Sequence, residues 1–212
     1  MIYGTTRRDL LWLVAAGALL PLLRRPALAG SIAGSVVAMQ GPCVVESQGG
    51  TKPLKMGDPI AVADTIQSPA NGGVKVAMSD GSALSLAADT RVTVTQYQAD
   101  AGGKRLGAVL TLAQGLLRAV VASMDHPASF DVATAVGTAA AHGTDWFIET
   151  HPGWAQVGVL SGSVSLSSAA TGHSVTIPNR WGARLEAGRD PVSARIWSPS
   201  EFQAVIARTD IR

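Results

Sequence analysis

The chain is 212 residues long, with 17 Lys and Arg against 15 Asp and Glu. Four of those arginines and one aspartate fall in residues 1–29, leaving 13 basic against 14 acidic residues beyond them, a net charge near −1 that removes the case for nucleic-acid binding. Charged residues make up only 15% of the sequence and cysteine occurs once, which excludes an internal disulfide and points to a Gly-, Ala-, Ser-, Thr- and Val-rich body of strands and tight turns.

The first element in chain order is a targeting segment. Arg7 and Arg8 precede an apolar run from Leu10 to Leu23, too short to cross a bilayer comfortably, where about 20 apolar residues are needed. Ala27 and Ala29 supply the small residues that signal peptidase requires, so cleavage is expected before Gly30. The arginine pair, with Arg24 and Arg25 close to the cleavage point, fits the twin-arginine export route. Residues 1–29 are therefore read as a signal peptide, with an uncleaved anchor as the competing reading. The expected location is the periplasm, with the export machinery as a transient partner and no membrane span after cleavage.

The 183 residues that remain suffice for one domain. From Ser35 to about Leu185 apolar residues alternate in short bursts bounded by turn formers. The pattern predicts strands at 35–39, 43–47, 64–67, 73–78, 83–86, 91–96, 108–113, 115–121, 129–133, 135–138, 145–150, 155–160, 163–167, 174–177 and 183–186. The fold class is all-β, a sandwich or solenoid-like roll, spanning residues 30–190. Cys43 reads as a small buried apolar residue. In the hairpin at Asp80, a two-residue loop would put apolar and polar residues on mismatched faces. A three-residue loop of Ser79, Asp80 and Gly81 pairs Val76 with Leu84 and Val74 with Leu86, and places Gly81 where positive φ is needed. The stretch from Tyr97 to Gly107 is the most polar loop and the expected mobile tip. Gly-x-Val or Gly-x-Leu recurs at Gly34, Gly72, Gly115 and Gly162, at spacings too uneven for a strict repeat.

Residues 191–212 form a C-terminal extension. Ser198, Pro199 and Glu201 make a capping box with proline in the first turn, and Trp197 can staple onto Phe202. One short helix from Pro199 to about Arg208 is predicted, with Phe202, Val205 and Ile206 on its packed face.

With these pieces in place the chain resembles the FecR domain family, the extracytoplasmic β-domain of iron-citrate-type regulators, in a standalone exported form. Gly57 and Asp58 lie in a Lys-Met-Gly-Asp-Pro-Ile step, and Asp80 and Gly81 in an Asp-Gly-Ser hairpin. Leu112-Ala113-Gln114-Gly115-Leu116 follows. The strongest similarity is His142-Gly143-Thr144-Asp145-Trp146 with Val157 to Val164, including Gly162, against the family's Arg-Gly-Thr-x-Phe and Val-x-Val-x-x-Gly-x-Val. The resemblance spans residues 34–188, and the expected function is that of an exported, non-catalytic sensor, scaffold or protein-interaction module. Here His142 stands in place of the usual arginine and Trp146 in place of phenylalanine. Only nine residues precede the apolar core, so the family's cytoplasmic sigma-factor-binding step is not expected to carry over.

Residue chemistry agrees with a non-enzyme that needs no cofactor. His126, His142, His151 and His173 show no metal-ligand spacing. His142 and Asp145 flank Gly143-Thr144 and define a small-hydrolase alternative, but no nucleophile elbow accompanies them. Gly57, Asp58, Asp80, Gly143, Thr144, Trp146 and Gly162 read as structural. Thr144 in particular is expected to bond backbone and fix the start of the following strand. Trp154 and Trp181 lie in turn contexts and are the candidate recognition residues, either for an envelope protein or, as the other alternative, for a polysaccharide.

Overall fold

The computed structural model describes residues 30–126 and 128–212. The segment read as a signal peptide, with Arg7, Arg8, Ala27 and Ala29, lies outside these residues. Short alternating segments pair, many of them as hairpins, and are distributed over two facing layers. The first layer runs, from edge to edge, β4 (Pro59–Ala61), β1 (Ile32–Gln40), β6 (Gly73–Met78), β7 (Ala83–Leu86), β9 (Arg105–Val120), β12 (Asp145–His151), β13 (Trp154–Ser161), β16 (Trp181–Glu186) and β17 (Arg195–Ile196). The second runs β3 (Gly50–Pro53), β2 (Val44–Ser47), β5 (Thr65–Gln67), β8 (Arg91–Ala99), β9 again, β10 (Ser129–Ala133), β11 (Gly137–Ala141), β14 (Ser163–Ser168) and β15 (Ser174–Pro178). Every neighbouring pair is antiparallel except β9 and β10, which run parallel.

The two layers share β9. Its residues Arg105–Gln114 pair within the second layer and Gly115–Val120 within the first. Gly115 makes the transfer at φ +93°, where a Cβ would overlap the backbone of Asp89 and Thr90. Thr90 Oγ1 accepts the Leu116 amide at 3.0 Å and pins the bend. Gly115, expected to open a separate strand, instead lies inside one strand of 16 residues. The short strands β3, β4 and β17 were not anticipated, and β11 begins two residues later than the expected start at 135.

Alternation places Val74, Val76, Leu84, Leu117, Ile148 and Val157 of the first layer against Val45, Ile66, Val92, Leu110, Phe130 and Leu166 of the second in one continuous core. Cys43 is buried in it, and that burial pushes its thiol pKa up. The Asp80 hairpin has the expected three-residue loop, with Val76 opposite Leu84, Val74 opposite Leu86 and Gly81 at φ +85°. Both ends of the stack are open. β4 has three residues and starts at Pro59, β17 has two, β3 ends on Pro53 and β15 on Pro178.

The helix α1 spans Pro199–Thr209 and lies on the outer face of the first layer. Ser198 Oγ accepts the Glu201 amide at 3.3 Å and the Glu201 carboxylate accepts the Ser198 amide at 2.8 Å, the reciprocal pair of a capping box. Trp197 and Phe202 pack with ring centroids 5.6 Å apart, and Phe147 joins them at 5.2 and 6.2 Å. Space for these rings comes from Gly158 and Gly182, paired across β13 and β16; side chains there would overlap Phe147 and Trp197. Among the described residues no helix is long and apolar enough to cross a membrane.

Candidate functional site

The site is built on the Asp80 hairpin. Gly81 turns the chain so that Asp80 points inward, where its carboxylate accepts the Ser82 amide at 3.0 Å and the Ser82 hydroxyl at 2.9 Å. The same carboxylate binds the guanidinium of Arg105, and both side chains are at most 1% exposed. Arg105 also donates to Ser82 Oγ at 3.1 Å and to the Ala122 carbonyl at 3.2 Å, and its head lies over the Phe130 ring. Ser82 Oγ in turn accepts the Ala122 amide. The cluster ties β6, β7 and β9 to the segment that leads on to β10. Tyr97 lies beside it, its hydroxyl pushed up to about 12 by burial and then by the Asp80 charge.

Asp80 is more than a turn former, because its charge is the counterion of a buried arginine. Arg105 does not belong to a mobile tip. β8 and β9 run on into a tight turn held by Asp100, whose Oδ1 accepts the Gly102 and Lys104 amides, and Arg105 begins the inner strand.

Above this cluster opens a cleft of about 430 Å³, lined by Arg105, Ser123, Met124, His126, Ala128, His142 and Gly143. His142 is exposed at its rim, with Nδ1 2.9 Å from the Ala128 carbonyl. The His126 ring lies between Asp125 Oδ1 at 2.9 Å and the Arg105 carbonyl at 2.8 Å. Hydrogen bonds from Lys104 and His126 hold the Asp125 carboxyl down at about 2.

The His142–Trp146 motif divides its residues between surface and core. Gly143 adopts φ +64° against Ser123, where a Cβ would overlap the serine. Thr144 is buried and donates to the Ser163 carbonyl at 3.2 Å, so it ties the motif to the start of β14 rather than to its own strand. Gly162, at φ +87°, leaves room for that hydroxyl. Trp146 is fully buried in the core, its indole N–H without a partner among the described residues. Asp145 is gripped bidentately by Arg118 at 2.9 and 2.7 Å, which raises the arginine's pKa. The structure therefore does not bring Asp145 to His142, and among the described residues no serine hydroxyl hydrogen-bonds the His142 ring. Gly57 turns at φ +82°, and Asp58 Oδ2 accepts the Lys55 amide at 3.0 Å, both local turn geometry. No group of three or more His, Cys, Asp or Glu among the described residues could hold a metal ion.

Trp154 and Trp181 lie away from the cleft, on β13 and β16. Trp154 is half-buried between β12 and β16, with His151 stacked at 4.4 Å and the Arg184 guanidinium 4.1 Å from its ring centre. Nearby Glu149 accepts from Arg208 at 2.7 Å, Gln156 at 2.9 Å and His151 at 3.3 Å. Burial alone would raise its pKa, but these donors outweigh burial and lower it. Trp181 is half-buried and packs against the main core.

Residues 64–165, a span just under half the chain, match the FecR protein family. No curated protein matches the chain. Two crystal structures of a candidate anti-sigma factor from Parabacteroides distasonis ATCC 8503, at 1.65 and 2.50 Å resolution, share its fold with TM-scores of 0.56 and 0.55. Each is 14% identical over 67% of this chain, and the aligned part spans 64% and 63% of those chains, less than two thirds. The matched span holds the Asp80 hairpin, all of β9 and the His142 motif, so the candidate site lies within the FecR-like part of the molecule.

Proposed function

We propose that the chain is an exported, non-catalytic FecR-like domain that acts in the periplasm as a sensor, scaffold or protein-interaction module. The observation that carries this reading is the match of residues 64–165 to the FecR family, on a fold shared with a candidate anti-sigma factor. The pair a hydrolase would require is not assembled: Asp145 is engaged by Arg118, and among the described residues no serine hydroxyl hydrogen-bonds the His142 ring. Arg7 and Arg8 direct export and cleavage after Ala29 frees the domain. The partner is an envelope protein that meets the His142 cleft. A polysaccharide is the weaker reading, because the ring of Trp154 is already stacked by His151 and Arg184.

The test uses the full chain with a C-terminal tag and a photo-crosslinking residue at position 142, 181 or, as a control on the outer face of the second layer, 95. The tag should appear in the periplasmic fraction on a chain beginning at Gly30, and replacing Arg7 and Arg8 with lysine should retain it in the cytoplasm. Position 142 should give a discrete protein adduct and position 95 none. An intact chain that stays in the cytoplasm, or adducts independent of position, would sink the proposal.

A further inference from the structure

The connection from β9 to β10 contains no strand in residues 121–126, yet Ser123, Met124 and His126 form one wall of the His142 cleft. His126 anchors it. Both ring nitrogens face acceptors, the Asp125 carboxylate at 2.9 Å and the Arg105 carbonyl at 2.8 Å. A neutral imidazole has one N–H and satisfies one of them, whereas the imidazolium has two and satisfies both. We infer that residues 123–126 form a proton-operated latch: protonated His126 holds the segment against β9, and loss of the proton releases one contact and loosens the wall of the cleft.

The charges facing the ring come from several elements. Asp125 is its neighbour in the segment, Lys104 reaches Asp125 Oδ2 at 2.5 Å from the β8–β9 turn, and Arg105 and His142 line the same cleft. Asp125 and then the Arg105 carbonyl raise the His126 pKa, against an opposing contribution from Lys104. With the folded value above the ordinary histidine value of about 6.5, the latch is fully closed below that pH and opens as pH rises through the folded value. The use of the latch in partner recognition rests on the function proposed above; the latch itself does not.

A pH titration of the full chain by NMR tests it, following the His126 ring protons together with the conformational-exchange contribution to backbone relaxation at Ser123–His126. The ring should titrate above about 6.5, and exchange in the segment should rise roughly threefold or more across the same interval. Amides of Leu110 and Leu112 in the core should show no such step. His126→Gln should abolish the step, and the surface change Asp125→Asn should lower the His126 pKa with the fold intact. A ring that titrates at or below the ordinary value, or a step that survives His126→Gln, overturns the latch. A partner that binds away from the cleft would defeat the recognition reading and leave the latch standing, whereas flat exchange would defeat the latch alone.

Discussion

Arg105 shows how far the role of one residue can lie from its local context. In the sequence it stands beside Gly102, Gly103 and Lys104, the composition of a solvated turn, yet in the fold it is among the largest fully buried side chains. Its charge is tolerable there because Asp80 neutralises it while Ser82 and the Ala122 carbonyl accept from its two terminal nitrogens. Removing one partner would strand the other in the core. Asp80→Ala or Arg105→Ala should therefore cost about 3–5 kcal/mol in chemical denaturation, and the double change Asp80→Leu with Arg105→Met should cost much less than the sum. Gly81 was legible for the opposite reason. A turn's need for positive φ and the alternation on either side of it are local, whereas the Asp80–Arg105 pair joins residues 25 positions apart.

The helix α1 was readable at the level of an element, since its cap, first-turn proline and staple all lie within six residues of one another. Its seat was not, because Gly158 and Gly182 form a flat floor only once β13 and β16 pair. Glu201 links cap to charge: bonds from Arg195 and Ser198 hold its carboxyl down at about 2. A depressed folded value means that its contribution is complete above the unfolded value of about 4.3 and fades as pH falls toward 2. Amide protection factors across Ser200–Thr209 should accordingly fall between about pH 4 and 2, before the core opens, and Glu201→Gln should remove that early acid phase. If helix and core lose protection together, the capping box does not control docking.

At the scale of the whole molecule, the sequence conveyed many short strands but not their arrangement. Alternation reports which residues face inward and is silent on which of two layers a hairpin joins. β9 is the clearest case, since a glycine between two apolar bursts looks like a boundary when strand partners are unknown. In the fold the same glycine lets one strand serve both layers. Gly115→Val combines a strained φ with overlap on Thr90, and should lower stability by about 3 kcal/mol in a single cooperative transition. Two separated transitions would instead mean that the layers fold independently.

The prolines at the rims have a further consequence. Each terminal ribbon offers a newcomer only a few backbone donors, and Pro53, Pro59 and Pro178 withhold theirs altogether. A body assembled by adding hairpin upon hairpin has no intrinsic reason to stop growing by recruiting its own kind. These rings supply one, so crowded copies meet as finished particles and not as the next rungs of a fibre.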